Sequence, residues 1–151
     1  MSPKLSKFIA TFGYVGYCPV APGTLASAAG ALLAFIFRFN VVGYAFVMVT
    51  VTFLGFFFAG DAEKAFGKKD PSQVVIDEVS GMMISLFMLP LYWPIILTGF
   101  FLFRAFDMFK IPPEDRFEAM GGSAGIMLDD VMAGIYTNIT LQIALRLLGR
   151  G

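Results

Sequence analysis

The chain has 151 residues, of which 58% are hydrophobic and 15% charged, and its mean hydropathy is +0.77; soluble domains carry roughly 25% charge, so this composition reads as an integral membrane protein rather than a soluble one. Lys plus Arg and Asp plus Glu are both 11, so the net charge is zero and no polyanion such as nucleic acid is implied as a partner. The single cysteine, Cys18, excludes an internal disulfide, and the absence of histidine excludes a Ser-His triad, a histidine base and the usual zinc sites.

Lys4 and Lys7 precede a stretch, Phe8 to Phe37, that has no charge. Gly13, Gly16, Pro19, Pro22 and Gly23 break its first half, which fits neither one straight helix nor a cleavable signal. Thr24 to Phe39 is an apolar helix of roughly 24 Å, short for a span. Asn40 marks a turn. Val41 to Gly60 is 20 uncharged residues rich in Val and Phe, the strongest transmembrane segment of the chain. Ala62 to Phe66 can extend it before Gly67 and Pro71 break the helix, and Ser72 is the expected cap of the next one.

All eleven carboxylates lie in two windows. The first holds Asp61, Glu63, Asp70, Asp77 and Glu78; the second holds Asp107, Glu114, Asp115, Glu118, Asp129 and Asp130. Between them, Val79 to Phe103 is 25 residues without charge. Pro90 and Pro94, around Leu91-Tyr92-Trp93, predict a turn there and a hairpin of two helices of about 11 residues each. Val131 to Leu148 is the expected last helix. The fold class is therefore all-α: one membrane-embedded domain over 1–151, a bundle of about four to five apolar helices.

Positive charge orients it. Lys4 and Lys7 place the N-terminus in the cytoplasm, and Lys64, Lys68 and Lys69 return there after two crossings. Arg104, Lys110 and Arg116 place the second acidic window on the same side, which requires the hairpin; Arg38 is an outer-side exception.

Three constellations can carry chemistry. Asp77-Glu78 and Asp129-Asp130 each stand at the mouth of an apolar segment. Helix neighbours point about 100° apart, so at least one acid of each pair faces the bundle interior. A divalent cation such as Mg²⁺ relieves the repulsion; the plainer alternative is acid favoured by a helix N-terminus. Gly23, Thr24 and Ser27, in Pro22-Gly23-Thr24-Leu25-Ala26-Ser27, offer amides and hydroxyls to an anion, or simply a turn and cap. Arg104, Asp107 and Lys110 share a helix face that can hold phosphate or metal, unless the cations only snorkel. Glu114, Asp115 and Glu118 read as solvated loop charge.

Taken together, these segments resemble the phosphatidylglycerophosphatase A family, from about Gly13 to Gly134. The shared motifs are Pro22-Gly23-Thr24 with Ser27, Asp70-Pro71 through Val75, Asp77-Glu78 and Gly81, then Phe103-Arg104-x-Phe106-Asp107-x-x-Lys110, and Gly125-Ile126-Met127-x-Asp129-Asp130-x-x-Ala133-Gly134. Ala26 stands where Gly is common, and Ile111 where Pro is usual. The resemblance implies a Mg²⁺-dependent phosphatase that converts phosphatidylglycerophosphate to phosphatidylglycerol at the cytoplasmic face of a bacterial inner membrane. It further implies metal ligands among Asp77, Glu78, Asp129 and Asp130, with Glu63 and Asp107 as lesser candidates. Asp77, Asp129, Asp130 and Lys110 then serve catalysis, and Gly23, Thr24, Ser27, Arg104 and Lys110 the phosphate. Partners are the membrane phospholipid and the bilayer, with the oligomeric state open.

Rival readings are a small cation or solute transporter with intramembrane acids, and a noncatalytic assembly subunit. A CDP-alcohol phosphotransferase needs an Asp-Gly core, and no Asp-Gly occurs. No Asp-x-Asp nucleophile pair occurs either, and no Arg follows Cys18 at the spacing of a cysteine phosphatase.

Overall fold

In the computed structural model, residues 2–149 are described, and they hold seven α-helices and no strand. These are α1 (Pro3–Ala10), α2 (Pro22–Ile36), α3 (Val41–Phe66), α4 (Ile76–Leu86), α5 (Trp93–Phe109), α6 (Glu114–Met120) and α7 (Gly122–Leu147), with a 3-10 turn at Val15–Tyr17. The side chains of Glu114, Asp115 and Glu118, read as solvated loop charge, lie outside the described residues.

Local chemistry sets most boundaries. Pro22 occupies the start of α2, where its fixed φ suits a helix and its missing N–H costs nothing. Asn40 caps α3, its Oδ1 accepting from Gly43 N at 2.9 Å. Gly67, at φ +67°, ends α3 in the left-handed conformation that glycine adopts without penalty. The expected extension of α3 through Ala62 to Phe66 is present.

Two expectations need correction. Ser72 does not cap α4. Val74 N donates to Pro71 O and Val75 N to Ala10 O, both at 2.9 Å, so this stretch is a turn tied to the end of α1. The helix starts only at Ile76, with no side-chain cap. The last helix starts at Gly122 rather than Val131. Its N-terminus is satisfied from a distant element: Glu63 Oε2 accepts from Gly122 N at 3.0 Å. Asp129 and Asp130 therefore stand inside a helix, with Asp130 about 12 Å beyond its first residue.

The Val79 to Phe103 segment does not form one helix. α4 stops at Leu86, Phe87 is extended, and α5 begins at Trp93. The connection lies beside the α2–α3 turn: the Trp93 ring stacks on Phe35 with centroids 5.7 Å apart, and Phe87 meets Tyr44 at 5.5 Å. The segment thus turns back, and its two ends, Asp77 and Arg104, come to the same end of the molecule.

α4 is the axis of the structure. Nine of its eleven residues are buried, against α2, α3, α5 and α7. It is approached through glycine on two sides. A Cβ on Gly30 of α2 would lie 2.7 Å from Val79 O, and one on Gly134 of α7 would lie 2.5 Å from Gly81 O. Such backbone proximity is how helices pack where side-chain hydrophobicity gives no driving force between them. The C-terminal carbonyls of α4 are met by side chains. Asn138 Nδ2 lies 3.2, 3.1 and 2.8 Å from the carbonyls of Ile84, Ser85 and Phe87, and Tyr44 Oη donates to Met83 O at 2.7 Å.

Outside the bundle the surface is apolar. Phe46, Val49, Phe53 and Phe57 form an exposed stripe along α3. Among the described residues, α3 alone is long and apolar enough to cross a membrane, with mean hydropathy 2.2 over its most apolar stretch. Only 17% of that stretch is buried, so α3 is not the hidden core helix of a soluble fold.

Candidate metal and phosphate site

Asp77 stands in the first turn of α4 and Asp130 two turns into α7. Each is followed four residues later by a glycine, Gly81 and Gly134. Residues four apart share a helix face, so the face that carries each acid is the face through which the helices touch. The crossing of α4 and α7 therefore presses the two acids together. Glu78, next in sequence to Asp77, turns toward α2 and α5.

Asp77, Glu78 and Asp130 each offer a carboxylate oxygen to one space, all within 4.8 Å of one another. Asp77 and Asp130 are buried and Glu78 half-buried. One oxygen of each, Asp77 Oδ1, Glu78 Oε2 and Asp130 Oδ2, is out of contact with solvent and has no hydrogen-bond partner. Buried polar atoms are almost always paired, and three converging anions repel. A divalent cation removes both penalties at once. The donors are all hard carboxylate oxygens, the set that suits Mg²⁺, Mn²⁺ or Ca²⁺ and not a thiophilic metal. The cluster fits a metal ion.

Cationic side chains flank it. Arg104 Nη1 donates to Asp107 Oδ2 at 2.8 Å, one turn apart on α5. Asp107 also lies close enough to interact electrostatically with Glu78 and Asp130. Lys110 Nζ lies 3.5 Å from Asp129 Oδ2, while Asp129 Oδ1 accepts from Asp130 N at 3.0 Å. Both cations are half-buried, Arg104 on α5 five residues before its end and Lys110 just beyond it.

Gly23 closes the site from α2. A Cβ there would run into the Glu78 carboxylate, while lying in ordinary contact, 3.6 Å, with Arg104 Nη1, so glycine is what leaves Glu78 where it is. Thr24 is half-buried beside it. The first-turn amides of α2 have no partner within the helix by construction, and carry its positive end. Ser27 is buried and its Oγ donates to Gly23 O at 2.9 Å, bracing that turn.

The structure thus gathers Asp77, Glu78 and Asp130, sets Asp107, Arg104 and Gly23 against them, and places the Lys110–Asp129 pair alongside. Glu63 lies outside the three-carboxylate cluster. Its Oε1 accepts from Asp70 N and its Oε2 from Gly122 N, both at 3.0 Å, so it ties α3 to α7. The sequence reading assigned no role to Gly81 and Gly134 as contact points, nor any to Asn138. The repeated Asp-x-x-x-Gly spacing and a lone Asn within an apolar helix were the available signals.

Known proteins similar to this chain point to its family. The family profile Phosphatidylglycerophosphatase A matches residues 8–145. A Bacteroides thetaiotaomicron protein that carries the provisional name phosphatidylinositol-3-phosphatase is 38% identical over 148 residues, covering 89% of each chain. The Phosphatidylglycerophosphatase A of Escherichia coli K12 is 33% identical, covering 81% of this chain and 73% of its own. That of Haemophilus influenzae is 37% identical, covering 80% and 77%. No solved structure matches the chain. A profile match over nearly the whole sequence, with relatives of this identity and coverage, shows that the chain belongs to the phosphatidylglycerophosphatase A family and is a phosphatase.

Proposed function

We propose that this protein is a Mg²⁺-dependent lipid phosphatase that hydrolyses the terminal phosphomonoester of phosphatidylglycerophosphate to phosphatidylglycerol. The observation that carries the reading is the convergence of three carboxylates with partnerless oxygens beside Arg104 and Lys110. Two of the relatives bear the name of this activity.

Asp77, Glu78 and Asp130 would hold the metal, with Asp107 and Asp129 next to them. A bound Mg²⁺ supplies positive charge to the phosphate and acidifies water. Arg104 and Lys110 bind the phosphoryl oxygens and offset the charge that builds on them during transfer. The first-turn amides of α2, at Gly23 and Thr24, cradle the same group. Asp129 and Asp107 hold the two cations in place by the contacts described. In the reaction, the oxygen of water forms the new bond to phosphorus and the bond from phosphorus to the glycerol oxygen breaks. The proton released by the water goes to that departing oxygen, giving inorganic phosphate and the lipid alcohol.

A lipid setting follows from the exposed apolar stripes and from the orientation rule for positive charge. We read α2, α3, the α4–α5 hairpin and α7 as one multi-pass bundle in a bacterial inner membrane, its acids facing the cytoplasm. α4 spans only about 16 Å, too short to cross alone. The Bacteroides relative's name favours a second substrate, phosphatidylinositol 3-phosphate, whose phosphomonoester the same groups can take.

Phosphate release by the purified protein from the two lipids, with Mg²⁺ or with EDTA, separates these readings. A kcat/KM higher for phosphatidylglycerophosphate supports the first; the reverse order supports the second. Cation flux in proteoliposomes with no phosphate released from either lipid would instead favour a transporter.

A further inference from the structure

Between α2 and α5 runs an open groove of about 320 Å³. Its floor is Ala31 and Ile96, both buried, and its walls are Leu32, Leu97 and Phe101, all more than half exposed. Ala28 forms its mouth nearest the site. The lining is almost wholly apolar.

Its position ties it to the chemistry. Gly23 on α2 and Arg104 on α5 meet at the site, with Arg104 Nη1 3.6 Å from where a Gly23 Cβ would stand. Ala28 lies five residues beyond Gly23, and Phe101 three residues before Arg104. Each is about one turn from the charged end, roughly 5–8 Å along its helix. From there the groove follows both helices down to Phe35 and Trp93, another 10–12 Å or so. Small residues on α2, Ala28 and Ala31, open the gap that α5 leaves uncovered. The same two helices thus present a cationic, anion-accepting site and, about one turn away, an apolar groove, an arrangement polar at one end and apolar along the rest. A ligand that matches it has a phosphate at one end and a hydrocarbon chain at the other.

We infer that the α2–α5 groove seats an acyl chain of the lipid substrate, so that Ala28, Leu32, Leu97 and Phe101 set the enzyme's preference for chain length. This rests on the lipid phosphatase reading and names the part of the substrate that lies outside the reacting phosphate.

The test compares dioleoyl phosphatidylglycerophosphate with its deacylated, water-soluble head group in the same detergent. Ala28→Trp fills the mouth of the groove. The expected result is a fall of roughly tenfold in the ratio of kcat/KM for the diacyl lipid to that for the head group, carried by KM; this is the loss expected when two methylenes are kept out of an apolar groove. Leu97→Ala, which widens the groove without adding bulk, serves as a second variant should Ala28→Trp not fold, and is expected to flatten the dependence of KM on chain length. If both substrates lose activity equally, or the ratio stays put in both variants, the inference is overturned. It is overturned too if Ala28→Trp changes only the molar mass of the detergent-solubilised protein, since the groove is then an interface between copies. Wild-type protein that releases no phosphate from either substrate would refute the underlying phosphatase reading instead.

Discussion

Gly134 of α7 sits so close to Gly81 of α4 that a single methyl group on it would lie 2.5 Å from the Gly81 carbonyl oxygen. In return, a Cβ on Gly81 would meet the carbonyl of Asp130 at 2.6 Å. The acids one turn earlier on each helix, Asp77 and Asp130, converge because these two backbones touch. The separation of the helices and the assembly of the carboxylate cluster are one geometric fact.

Adding bulk at this contact should damage both properties together. For Gly134→Ala, overpacking against backbone is expected to cost about 1–3 kcal/mol. Thermal unfolding in detergent should show a lowered midpoint. Phosphate release per folded molecule should also fall, because α7 must retreat from α4. A variant with a lowered midpoint and full activity would show that the crossing does not position the acids.

Gly23→Ala should act on the site alone. The added methyl occupies the space of the Glu78 carboxylate, the end of a side chain that can swing away. The midpoint of unfolding should therefore hardly move. A displacement of about 1 Å in a reacting group can cost on the order of a hundredfold, and a loss of this order in kcat/KM is expected. Wild-type turnover in this variant would remove Glu78 from the site.

Asn138→Ala has the opposite signature. The carbonyls of Ile84, Ser85 and Phe87 lose their side-chain donor at the interior end of α4. Leaving buried acceptors unsatisfied costs about 1–3 kcal/mol. The unfolding midpoint should drop while kcat/KM of the folded fraction holds, since Asn138 lies two turns beyond Asp130 and away from the cluster. Retention of the wild-type midpoint would show that these carbonyls do not depend on the Asn138 amide.

Lys110 tests the phosphate side. Lys110→Met removes the charge beside Asp129 and should lower kcat/KM by roughly tenfold to a thousandfold, the range of a single lost electrostatic donor. Lys110→Arg should recover part of it. Equal loss in both variants would point to the shape of the chain at Lys110, at φ +45°, in place of its charge.

How much of this was legible in the sequence follows from where the causes lie. The turn between α4 and α5 was legible because Pro90 and Pro94 are local signals. The apolar segment from Val41 was legible from its unbroken run. The acid pairs and their flanking cations stood out because charge is scarce in so hydrophobic a chain. The start of α7 was not legible: it has no side-chain cap of its own, and the acceptor for the Gly122 amide is Glu63, 59 residues earlier. Glu63 stands as a lesser candidate ligand in the sequence, and the structure adds its two amide contacts. Its charge is visible in sequence, but its two amide partners are not. Ser72 had the composition of a cap, yet the backbone there is tied to Ala10 of α1.

The most direct test of the metal site is phosphate release from phosphatidylglycerophosphate as Mg²⁺ is titrated, for the wild type and for Asp130→Asn. That substitution keeps the size of the side chain and removes one of the three converging charges. The predicted result is turnover in the wild type that requires Mg²⁺, with Asp130→Asn slower by at least about a hundredfold at every Mg²⁺ concentration. Turnover that persists in EDTA, or an Asp130→Asn protein as active as the wild type, would contradict the assignment of Asp77, Glu78 and Asp130 as the metal site.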